Sequence, residues 1–151
     1  MVIYLKTVRS GRFTTPGLNF EAVRIEVDAI KATGSDNNDF GIVCGYKDGD
    51  NYYFLEISSD GYYGVGENRQ GKANLLSAEK MLSSDHISQG ETSNHLRADC
   101  ADGVLTLYVN GFQIAQVEGY NDTSGGVGLI AGALDAPGVG IRFDNFAVYV
   151  P

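Results

Sequence analysis

The stretch HLRADCADGVLTLYVNGFQIAQVE, residues 95–118, decides the fold. Leu96, Ala98 and Cys100 alternate with His95, Arg97 and Asp99, the period-2 pattern of a strand with one buried and one wet face. Asp102-Gly103 turns the chain into the run Val104–Val109, and Asn110-Gly111 turns it again into Phe112–Glu118. Asn-Gly between alternating apolar runs is a strong hairpin signal, because both central residues of a type I′ turn need a positive φ.

The same alternation extends outward in both directions. Within residues 21–32, Val23, Ile25, Val27 and Ala29 fall on one face and Arg24, Glu26 and Asp28 on the other. Phe40, Ile42, Cys44 and Tyr46 alternate with Gly41, Val43 and Gly45. Asn51 to Ser58 reads as an aromatic strand that returns, after Ser59-Asp60-Gly61, as Gly61 to Glu67. Val127 to Leu134 and Val139 to Val150 close the chain. Helical periodicity is nearly absent, and Ser77 to Ser88 has room for one helical turn at most. About ten or eleven short strands with turn chemistry between them predict an all-β sandwich of two packed antiparallel sheets.

Composition agrees. The chain has 151 residues, a size that one domain spanning 1–151 accounts for, with no repeat, linker or low-complexity tract. Gly at 20 residues against only 3 Pro, with 16 Tyr and Phe and no Trp, is a turn-rich vocabulary that leans toward strands. The net charge of −8 repels phosphate backbones and anionic lipid, which argues against nucleic acid and membrane surfaces as partners. No apolar run approaches the roughly 20 residues of a membrane-spanning helix, and no signal peptide is legible.

The two cysteines, Cys44 and Cys100, lie 56 positions apart, each in phase with the apolar face of its strand. Two readings are open. They are buried free thiols, or they form a disulfide that stitches two distant strands and places the protein outside the reducing cytosol. Metal ligation has only His86 and His95 to recruit and is set aside.

Several apparent motifs fail on context. Gly126 to Ala131 matches a dinucleotide-binding pattern by letter, but a strand continues where that motif needs a helix. Asp36-Asn37-Asn38-Asp39 and Asp48-Gly49-Asp50-Asn51 resemble calcium loops without their full spacing, and each reads better as a turn capped by its own side chains. No Gly-x-Ser-x-Gly elbow occurs. Glu26 with Asp28 has a spacing admissible for a glycosidase carboxylate pair, against the plainer reading of two solvated charges.

The aromatic strand carries more. With Tyr53, Leu55 and Ile57 in the core, Tyr52, Phe54 and Glu56 face the other way. Exposed there, they suit stacking and hydrogen bonding to sugar rings or to a protein partner. The alternative is that a loop or terminal strand covers them.

Runs 38–44 and 51–63, followed in order by 94–100, 105–111 and Phe143-Asp144-Asn145-Phe146, resemble the concanavalin A-like lectin/glucanase superfamily, and within it the laminin-G-like, family 16 glycosyl hydrolase-like bacterial domains. The resemblance spans residues 20–150 and implies a jelly-roll sandwich of two curved antiparallel sheets in a secreted, periplasmic or cell-surface bacterial protein. True glucanases of that superfamily carry a Glu-x-Asp-x-x-Glu strand, which this chain lacks, so a non-catalytic domain is expected. Many relatives hold a structural calcium, and the resemblance implies Asp144 as one ligand. Their usual acidic-aromatic opening before a Trp is missing, so a trimmed N-terminus is expected.

Three functions follow as expectations. The first is a carbohydrate or cell-surface glycan ligand on the concave sheet, with Tyr52, Phe54, Glu56, Arg97 and Asp99 as contacts. The second is a structural or assembly module that touches other protein chains or its own copies. The third is a glycoside hydrolase working through Glu26 or Glu56.

Overall fold

The computed structural model describes residues 1–7, 10–14, 17–118 and 122–151. Its strands are β1 (Val2–Leu5), β2 (Ser10–Thr14), β3 (Val23–Thr33), β4 (Asn38–Asp48), β5 (Asn51–Ile57), β6 (Tyr62–Arg69) and β7 (Lys72–Leu75). They continue as β8 (Leu82–Ser83), β9 (Asn94–Ala101), β10 (Val104–Val109), β11 (Phe112–Glu118), β12 (Gly126–Ala133) and β13 (Val139–Tyr149). The first sheet runs β1-β13-β3-β9-β10-β11. The second runs β2-β12-β4-β5-β6-β7, with β8 also paired to β6. Every pairing between these strands is antiparallel. No helix long and apolar enough to cross a membrane occurs among the described residues.

The alternation read from the sequence decides what lies between the sheets. Val23, Ile25, Val27 and Ala29 of β3 and Leu96, Ala98 and Cys100 of β9 point inward from the first sheet. Phe40, Ile42 and Cys44 of β4, with Tyr53, Leu55 and Ile57 of β5, meet them from the second. This shared interior holds most of the buried apolar area, and burying one such aliphatic side chain stabilises the fold by about 1.5–3 kcal/mol. The cysteines settle as a disulfide, Cys44–Cys100, which crosses the interior from β4 to β9.

Turn chemistry behaves as the residues dictate. Asp102-Gly103 (φ 53° and 77°) and Asn110-Gly111 (φ 52° and 87°) are left-handed at both positions, as the two predicted hairpins require. Gln70-Gly71 (φ 53° and 79°) makes a third such turn, between β6 and β7.

Two sequence expectations change. Tyr46, placed by alternation on the face of Phe40, Ile42 and Cys44, instead packs on the outer side with Val43. Gly45 is the reason: at φ 56° it breaks the β4–β5 register after Cys44, and such a bulge reverses the alternation beyond it. The segment Ser77 to Ser88 takes no helical turn. It runs along β6 instead, with Ser77 N–H donating to the Val65 carbonyl and Ser84 N–H to the Gly61 carbonyl.

In the chain-entropy description, a closed loop of this length contributes about 4 kcal/mol of stability. Reduction with a thiol should therefore lower the melting temperature by roughly 10 °C. Calorimetry with and without reductant measures this, and an unchanged melting temperature in verifiably reduced protein would refute it.

Candidate functional site

Each sheet keeps one face away from the shared core, and the two outer faces differ in chemistry. On the first sheet the charges satisfy one another. His95 Nδ1 lies 2.7 Å from Asp28 Oδ1, and its Nε2 lies 2.7 Å from Glu26 Oε1. Asn145, left-handed in a bulge of β13, donates from Nδ2 to the other Asp28 oxygen at 2.9 Å. Partial burial works against a charged His95, but the hydrogen bonds to Asp28 and Glu26 outweigh it and keep the imidazolium to higher pH than usual. The bond from Asn145 and then that from His95 hold Asp28 below the ordinary carboxylate range. The carboxylate pair that spacing alone admitted for glycoside hydrolysis is thus clamped by one ring.

Further along β9, Arg97 donates to Asp99 through Nε at 3.0 Å and Nη2 at 2.7 Å. Its guanidinium lies 4.2 Å from the centre of the Tyr108 ring, and Arg24 approaches Asp99 at 3.6 Å. Arg97 and Asp99, expected to share a ligand with Tyr52, Phe54 and Glu56, sit on the opposite sheet. Both sets lie on outward faces, but the whole sandwich separates them, so the five residues do not form one site.

The outer face of the second sheet is built differently. Tyr52 and Phe54 do point away from the main core, but they are not exposed: each is 7% accessible. With Val43 and Ile130 they form a second, smaller apolar cluster, against which Tyr46 and Leu75 pack. The physical reason is glycine. Gly66 lies opposite Phe54 on β6, and a methyl group there would come 2.6 Å from Phe54 Cζ, so the ring lies down across the neighbouring strand. Arg12, opposite Ile130, places its guanidinium 5.0 Å from the centre of the Tyr52 ring and donates to its hydroxyl at 3.4 Å.

Glu56 follows on the same face, also 7% accessible, opposite Gly41 and Gly64. Asp39, two residues before Gly41 and opposite Gly132, is half-buried, and its carboxyl group covers the space where a Gly132 side chain would be. Neither acid has a hydrogen-bond or ion-pair partner among the described residues, whereas Asp36 of the same run pairs with Lys31 Nζ at 2.6 Å. Burial pushes Asp39 up to about 6. Burial, and then the charge of Asp39, push Glu56 well above the ordinary carboxylate range. Asp39 was legible only as part of a turn; the missed signal is its phase, which matches Gly41 and Val43 rather than Phe40.

At the far end of β5 a cavity of about 340 Å³ opens beside Tyr52 and Tyr53, bounded by Lys47, Asn51, Glu67, Asn68, Arg69 and Asp122, and so takes in residues of both faces of the sheet. Asn51 is tied into its turn, where Asp48 Oδ1 accepts from Asn51 Nδ2 at 2.9 Å and from the Asp50 N–H at 2.8 Å. This is the capping role expected of that run. Asn68, opposite Tyr52 on β6, keeps its amide without a partner among the described residues. Lys47 donates to Asp122 at 3.0 Å across the mouth.

Asp144 is exposed on β13, opposite Asp28. Among the described residues no three His, Cys, Asp or Glu side chains gather as a metal-binding group.

No family model matches the chain, and no curated protein sequence does. Solved structures do. The carbohydrate-binding module CBM66 from Bacillus subtilis superposes with a TM-score of 0.70 at 12% identity, covering 96% of each chain. Sheep galectin-11, solved in complex with glycerol, gives a TM-score of 0.62 at 12% identity over 93% of this chain and 95% of its own. The GH43 protein BlXynB from Bacillus licheniformis gives 0.63 at 18% identity, with 87% of this chain matching 28% of that one. At such identities the likeness establishes the fold, a jelly-roll β-sandwich.

A carboxyl whose folded pKa lies above its unfolded one stabilises the native state most at low pH, and that contribution is lost as pH rises. For Asp39 the loss falls between its ordinary 3.8 and about 6. The paired Asp28 and Asp36 act in the opposite direction, so the comparison must be with a variant. Asp39→Asn should be more stable than the parent at neutral pH, with the difference shrinking toward about pH 4. Denaturant titrations across that range measure it; a difference independent of pH would refute it.

Proposed function

We propose that this chain is a non-catalytic extracellular module that binds carbohydrate at the cavity beside Tyr52, at the end of its second sheet. On this reading it is a laminin-G-like, family 16 glycosyl hydrolase-like member of the concanavalin A-like superfamily. The cavity carries the reading. It sets Tyr52 and Tyr53 beside the Asn68 amide and both signs of charge, and sugars combine apolar C–H faces with dense hydroxyl groups. The sandwich shared with CBM66 and galectin-11 supports it, since both are named for sugar binding or lectin kinship. The disulfide supports an oxidising compartment. The commitment of Glu26 and Asp28 to His95 supports binding without hydrolysis at that pair.

A panel of neutral oligosaccharides, followed by calorimetric titration of those retained, tests the proposal. At least one should bind without release of reducing sugar. Asn68→Ala should weaken it roughly fivefold, the scale of one lost hydrogen bond. Arg97→Ala, on the opposite sheet, should leave the affinity unchanged. A flat response across the panel would reject the proposal.

A further inference from the structure

Glu56 stands two alternations beyond Tyr52 on the same face of β5, about 13 Å along the strand from the cavity. It is 93% buried by its neighbours, the complement of its 7% accessibility, and it has no partner for its charge among the described residues. No fully enclosed side-chain oxygen or nitrogen lacks a hydrogen bond among the described residues, so the unpartnered oxygens of Glu56 and Asp39 are the parts of these residues that reach solvent. A carboxyl group held mostly out of water, with no protein partner, costs stability, and other buried polar side chains here avoid that cost. Lys31, itself buried, is satisfied by Asp36 and by the Gly34 carbonyl at 2.8 Å, and Asn94 is satisfied by Ser88 and Asn110.

The surroundings narrow the ligand. An ionised carboxylate accepts hydrogen bonds and a protonated one also donates, so the group that suits this pair carries hydroxyls, which do both. Gly41, Gly64 and Gly132 surround the two acids, and no cationic side chain pairs with either among the described residues. Beside them lie apolar groups: Phe54 and Ile130 on the same face, and Met81, whose Cγ would lie 3.3 Å from a methyl group at Gly64. A bare cation would leave those apolar walls unused, whereas a sugar ring presents C–H edges to them and hydroxyl donors to the acids.

We propose that Asp39 and Glu56 form a carbohydrate subsite on the outer face of the second sheet, hydrogen-bonded to two neighbouring hydroxyl groups of a neutral oligosaccharide. The inference rests on the carbohydrate reading above and adds to it a position and a chemistry. The energetic signature is that of a site kept for a ligand at the expense of stability.

The experiment titrates the oligosaccharides retained from the panel, and their deoxy analogues, into the parent protein, Asp39→Asn and Glu56→Gln. The hydrogen bond to a charged group sets the expected loss at tenfold or more for Asp39→Asn, and the scale of a neutral one sets it at about fivefold for Glu56→Gln. Both variants should melt at or above the parent at neutral pH, which separates lost binding from lost folding. A deoxy sugar lacking one of the two hydroxyl groups should bind the parent weakly and the variants no more weakly than the full sugar does. Undiminished binding by both variants would overturn the subsite and leave the carbohydrate reading standing. If no oligosaccharide binds the parent, both fall together. Calcium or a protonated amino sugar that binds where neutral sugars do not, and is lost in either variant, would overturn the choice of a neutral ligand.

Discussion

The contact between β4–β5 and β3–β9 is the constraint on which the rest of the molecule depends. Phe40, Ile42 and Leu55 on one sheet and Ile25, Val27 and Leu96 on the other are all 1% accessible or less, and the Cys44–Cys100 bridge crosses the same layer. Once those inward faces are fixed, strand geometry leaves no freedom to the outward ones, because each neighbour in sequence must point the other way. The candidate sites are consequences of the core: Glu56 faces outward because Leu55 and Ile57 face inward.

The two outward faces resolve the same constraint in opposite ways. On the first sheet, long polar side chains meet across β3, β9 and β10 and neutralise one another, as in His95 between Glu26 and Asp28 and Arg97 against Asp99 and Tyr108. Exposed pairs of this kind add little stability, but they leave few unsatisfied groups for a ligand to claim. On the second sheet, small residues on β12, β4 and β6 let Phe54 and Asp39 lie flat across neighbouring strands. The aromatic residues become wall rather than platform, and the acids are left facing solvent without donors.

Carbohydrate-binding module CBM66 and galectin-11 share the sandwich at 12% identity each, so the likeness is one of fold. The outward residues are free to differ, and function on such a fold is set by the groups placed there.

The all-β class, the hairpin turns at Asp102-Gly103 and Asn110-Gly111, and the inward sets on β3, β4, β5 and β9 follow from sequence alone, because alternation and left-handed turn residues are local properties. The direction in which Tyr52, Phe54 and Glu56 point was legible for the same reason. Their burial was not, since it depends on Gly66 of β6 and Arg12 of β2, which only strand pairing brings alongside. Nor could the sequence separate Arg97 and Asp99 from the aromatic strand, because which sheet a strand joins is decided by long-range pairing. The partnership of Asp39 with Glu56 is of that kind too. Seventeen positions apart in the chain, they become neighbours when β4 pairs with β5, and the field each acid feels exists only in the folded protein.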